Sequence, residues 1–87
     1  MTDVRAGKIS TAKNFVFGED LSSQADGLVT EFTIANAFDE GSVAVYMNGL
    51  RQQGGIGKDY VEGPGNIITF IIAPDVEDII LVDYVKI

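Results

Sequence analysis

The chain has 87 residues, a formal charge of −7, and neither cysteine nor histidine. A single domain of this size buries only about 60–65% of its unfolded surface. Composition excludes disulfides, thiolate metal sites, imidazole ligands and Ser-His pairs, so reinforcement is expected from oligomerisation or from docking on a larger body. The acidic balance argues against a nucleic-acid binder, which needs a basic face to neutralise phosphates.

The charge is unevenly placed. Residues 1–14 carry three basic side chains (Arg5, Lys8, Lys13) against Asp3, a net of +2, whereas residues 15–87 carry three basic against twelve acidic, a net of −9. No run of 18 apolar residues and no apolar leader segment occur, so neither a membrane span nor a secretory signal is expected. Synthesis in a cytoplasm follows as the expected starting point.

Residues 1–13, MTDVRAGKISTAK, show no period of 2 or 3.6 and predict an extended N-terminal arm. Residues 14–87 form the predicted domain. Asn14 to Phe17 is a short apolar segment ended by Gly18 and predicts an edge strand. Turn residues follow, and then Leu28 to Ile34 alternates, with Leu28, Thr30, Phe32 and Ile34 on one face of a half-buried strand. The next loop, Ala35 to Ser42, has the composition for one helical turn.

The stretch VYMNGLRQQGGIGKDY (Val45 to Tyr60) can be read in two ways. A phosphate loop requires Gly, four residues, then Gly-Lys-Ser/Thr, after a strand and opening a helix. Here Gln52 stands five before Gly57, Asp59 follows Lys58, and Tyr60-Val61 is β-forming. The nucleotide reading fails on spacing, chemistry and context. Asn48-Gly49 instead supplies the two positive φ angles of a type I′ hairpin turn. That turn sets Met47 opposite Leu50 and Tyr46 opposite Arg51, with Val43, Val45, Met47 and Leu50 on one face.

Lys58 to Glu62 predicts another short strand, and Gly63 to Asn66 a tight turn. Ile67 to Ile72 is strongly β-branched, Ala73-Pro74-Asp75 breaks it, and Ile79 to Ile87 is the last predicted strand. Six to seven short strands separated by turns predict an all-β fold, a small antiparallel β-sandwich behind an extended N-terminal arm. Ile67–Ile72 and the first half of Ile79–Ile87 are apolar on both faces, whereas a strand in a lone sandwich should show water one face. A second copy of the chain is the simplest cover, with Ile71 and Ile80 as the interface positions.

At this point the order of residues resembles a known module. Gly41-Ser42-Val43-x-Val45-Tyr46-x-Asn48-Gly49, then Leu50-Arg51, Asp59-Tyr60, Ile68-Thr69-Phe70, Ala73-Pro74 and Val82-Asp83-Tyr84, preceded by Asp26 to Phe38, is similar to a β-sandwich module of tailed-bacteriophage virion proteins. The similarity spans residues 26–84 and departs from the usual pattern at Met47 and at Asp75 to Asp78. It implies a non-enzymatic structural role in the virion, as a head-, neck- or tail-associated accessory, decoration or fibre protein. It transfers no catalytic residue and implies no cofactor. The expected partners are further copies of the chain, a trimer being favoured, and other virion proteins attached through Arg5, Lys8 and Lys13.

Other chemistry is weaker. Asp75, Glu77 and Asp78, or Asp39 and Glu40, offer oxygen ligands without the spacing of a calcium loop. Paired carboxylates need a substrate groove for glycoside hydrolysis, and the serines have no histidine base. Tyr46, Tyr60 and Tyr84 either cap the sandwich with buried rings and wet hydroxyls or, with Arg51, form an exposed patch. Tyr46, Arg51 and Tyr60 are the candidate recognition surface, which supports the alternative of a receptor- or glycan-binding module of a tail fibre.

Overall fold

A computed structural model describes residues 14–87 of the chain. Seven strands make two antiparallel sheets packed face to face. They are β1 (Phe15–Asp20), β2 (Glu31–Thr33), β3 (Ala44–Met47), β4 (Leu50–Arg51), β5 (Tyr60–Glu62), β6 (Ile67–Phe70) and β7 (Ile80–Val85). One sheet has the order β1-β7-β3-β4 and the other β2-β6-β5. The fold is all-β, as the turn spacing and alternation predict. The expected arm, with Arg5, Lys8 and Lys13, lies outside the described residues.

The two doubly apolar segments turn out to be the central strands. In β7, flanked by β1 and β3, Ile80, Val82 and Tyr84 are buried while Leu81, Asp83 and Val85 are half-exposed. In β6, flanked by β2 and β5, Ile68 and Phe70 are buried and Ile67 and Thr69 half-exposed. Neighbours on both sides shade the outward side chains, so part of the second-face apolarity is satisfied within one chain. The expectation for Ile80 is thereby corrected: it is 0% exposed and sits in the core. Asp83 fixes the alternation, because the aspartate faces out and every second residue from it does likewise. Ile71, by contrast, lies just beyond β6 and is exposed.

The core draws on the inner face of each sheet. Phe32 of β2 meets Phe70 of β6 edge to face, with ring centroids 5.1 Å apart. Tyr84 is buried and donates its hydroxyl to Glu19 at 2.5 Å, while the Asn36 amide donates to that hydroxyl at 3.0 Å. Burial, with the Glu19 hydrogen bond second, raises the Tyr84 pKa above the usual phenol value.

Several boundaries differ from those predicted. Gly18 does not end β1: at φ 71° it sits in a bulge between Val16 and Glu19, where its N–H donates to Asp83, and the strand continues to Asp20. The Leu28–Ile34 strand shrinks to Glu31–Thr33. The Asp26 carboxylate accepts the N–H groups of both Leu28 and Val29, and this side-chain-capped turn leaves Leu28 84% exposed. Among the described residues the helical turn is not in Ala35–Ser42 but a 3₁₀ turn at Ser22–Gln24.

Candidate functional site

The Asn48-Gly49 turn has φ of 53° and 85°, and the register is Met47 opposite Leu50 and Tyr46 opposite Arg51. Asn48 does more than turn the chain. Its amide donates to Asp78 Oδ1 at 2.9 Å, its side-chain oxygen accepts the Ile79 N–H at 2.8 Å, and its own N–H donates to the Ile79 carbonyl at 2.8 Å. Asp78 Oδ2 in turn accepts the Asp75 N–H at 2.8 Å. The acidic cluster is thus a turn stapled to the hairpin tip. The Asn48 amide, and after it the Asp75 N–H, hold the Asp78 carboxyl below its usual pKa.

The glycine-rich loop is closed on itself. The Gly55 N–H donates to the Tyr60 carbonyl, the Lys58 N–H to the Gly55 carbonyl, and the Gln53 N–H to the Asp59 carboxylate. These amides serve the loop's own turns, and the Asp59 carboxylate within the loop would repel a phosphate. Gly54 lies against the Tyr60 ring so closely that a Cβ there would meet Tyr60 Cζ at 2.8 Å. Tyr60 is accordingly 4% exposed, with its hydroxyl donating to the Val43 carbonyl at 2.8 Å. The surface reading of Tyr60 is corrected: it is a core residue, and burial raises its pKa. Glu62 spends both oxygens on the N–H groups of Gly41 and Val43, which ties β5 to the loop before β3.

Tyr46 and Arg51 remain outside, paired on the outer face of the four-stranded sheet beside Leu81. Farther along that face Phe15 stands opposite Val85 and stacks on Phe17, with ring centroids 5.6 Å apart.

The main concentration of apolar surface is at one end. Hydrogen bonds from Asn48 to Ile79, Gly27 to Pro74 and Ile71 to Asp59 gather the loops around residues 26–29, 48–59 and 71–79 there. Ten large apolar side chains are exposed among the described residues, and six of them belong to these loops or to the adjoining β4: Leu28, Leu50, Ile71, Ile72, Val76 and Ile79, whereas Ile56 lies against a separate cavity beside Glu40 and Gly41. The loops surround a groove of about 690 Å³, with Met47, Ile71 and Ile72 among its apolar walls and Asp59, Asp75, Asp78 and Lys58 along it. Ile71 of the predicted interface lies here, beside Ile72. Ile80 does not join them, and Tyr46 and Arg51 occupy a different surface.

Sequence reasoning missed the stapling roles of Glu19, Glu62 and Asn48. All three accept from backbone N–H groups distant in sequence, Glu19 from Ala35 at 2.7 Å, Glu62 from Gly41 and Val43, and Asn48 from Ile79, and only the turn signature at Asn48 hinted at one of them. Comparison with protein-family models, with curated proteins and with solved structures finds no match.

Proposed function

We propose that the chain is a non-enzymatic structural component of a tailed-bacteriophage virion, assembled as an oligomer and attached through residues 1–13. The observation that carries this reading is the exposed apolar end with its groove. Isolated domains rarely display contiguous apolar patches larger than a few hundred Å², and such patches mark interaction surfaces. An 87-residue domain without disulfides also gains stability from assembly more than a larger one would. The polar side chains with the most specific partners, Asn48, Glu62 and Tyr60, all serve the scaffold. The residues that carry the virion resemblance supply the hairpin, β6 and β7, which form this scaffold. A trimer is the favoured state.

The test is direct. Tailed particles banded from the source culture on a density gradient should contain the chain by immunoblot and mass spectrometry, at many copies per particle. A chain confined to the soluble fraction would overturn the reading. The alternative, recognition of a receptor or glycan, has Tyr46 and Arg51 side by side as its platform. It predicts retention of the isolated protein on a glycan array and loss of retention in Tyr46→Ala.

A further inference from the structure

We propose that the groove at the apolar end receives residues 1–13 of a second copy of this chain. Its walls take Val4 and Ile9, and its acidic rim takes Arg5, Lys8 and Lys13. This rests on the structural-component reading and names the partner of the segment that reading uses for attachment.

Charge complementarity selects the occupant. The groove and its edge carry Asp59, Asp75 and Asp78, with Glu77 adjacent, against the single cation Lys58. Two such ends facing each other would bring like charges together at short range, which disfavours a symmetric end-to-end dimer. A partner must instead be basic with scattered apolar side chains. Half of the chain's six basic residues lie within residues 1–13, where they outnumber the acidic ones three to one.

Direction then separates a second copy from the chain's own segment. β1 runs from Phe15, beside Val85, to Asp20, beside Leu81. The groove lies at the far end of this run, where Met47 pairs with Ile80 at the start of β7. Residues before Phe15 therefore join the body at the end opposite the groove. Thirteen extended residues span at most about 43–47 Å. Doubling back along β1 to the chain's own groove would spend roughly 20 Å of that length before any groove contact. A segment from a neighbouring copy keeps its whole length for the groove.

The contact is also heterologous, one end of each copy to the opposite end of the next. Such contacts close into rings, a trimer among them, or propagate as a filament. Ile71 and Ile72, both exposed, stand in the groove wall itself and give an incoming apolar side chain its contact.

The experiment uses the full chain and light scattering coupled to gel filtration across a concentration series. Wild type is expected to associate, with its midpoint concentration rising about tenfold between 0.1 and 1 M NaCl as the Debye length falls. R5E/K8E/K13E and, independently, Ile72→Glu should give monomers at every concentration tested. Ile72 is 81% exposed, so its substitution leaves the core alone. Adding D75K/E77K to the triple charge reversal should restore association, because Asp78, which holds the turn, is retained.

A wild-type monomer throughout overturns the proposal, including the case in which each segment lies in its own groove. Association unaffected by the arm and groove variants also overturns it, while leaving the oligomeric structural reading in place. Conversely, arm-dependent association of a chain that is missing from particles would sink the virion reading and leave the docking intact.

Discussion

Replacing Asn48 dissects the hairpin tip, because Asn48→Ala and Asn48→Gly remove the same side-chain bonds but differ in backbone tolerance. At φ 53° an alanine meets the left-handed penalty of about 1–2 kcal/mol, which asparagine relieves and glycine lacks. Both variants lose the acceptor for the Ile79 N–H, a bond with a net value of about 0.5–1.5 kcal/mol. Glycine adds about 0.5–1 kcal/mol through the freedom of the unfolded chain. Asn48→Ala should therefore lose roughly 1.5–3.5 kcal/mol and Asn48→Gly roughly 1–2.5. The alanine variant should melt lower than the glycine variant by a few degrees. Urea unfolding at neutral pH, with equal m-values, is the assay. Alanine within about 0.5 kcal/mol of wild type would show that the staple to Ile79 carries nothing. Glycine as damaging as alanine would show that the left-handed turn is not under strain.

Tyr60→Phe removes the donor to the Val43 carbonyl inside the core and should lower stability by about 1–2 kcal/mol by denaturant melt; no change would mean that water takes its place. Ile80→Lys places a charge in the core and should unfold the chain by circular dichroism, whereas Ile71→Lys, at an exposed site, should keep the fold and weaken association in gel filtration. The reverse pattern would mean that the alternation of β7 has been misassigned. Asp20, Asp26 and Asp78 have folded pKa values lowered, chiefly by bonds from Ser22, from the Val29 N–H and from Asn48. Their stabilisation is present above the unfolded value of about 3.9 and is lost as pH falls through the lower folded values. Tyr60 and Tyr84 have raised values, so their stabilisation holds below about pH 10 and is lost as pH climbs through the folded values. Urea midpoints should decline on both flanks, and a profile flat from pH 4 to 2 would refute the acid half.

Local chemistry was enough to write the fold class and the hairpin from sequence. Asn48-Gly49 determines its own turn and register, because a type I′ turn is settled by the φ preferences of two residues. Alternation in β6 and β7 likewise reports burial, since the pleat sends every second side chain to the same face. Asp83 carried the phase that places Ile80 inside, and it was legible. Tertiary structure alone decided the rest. Tyr60 became a core residue because Gly54, six positions away, leaves room for its ring and Val43 offers a carbonyl to its hydroxyl. Leu28 left its expected strand because one aspartate captured two backbone amides. Whether a doubly apolar strand needs a partner depends on which strands flank it, and strand order across two sheets is not encoded in any local pattern. The groove exists for the same reason: its walls come from loops far apart in sequence, brought together by the pairing of β3 with β7 and β5 with β6.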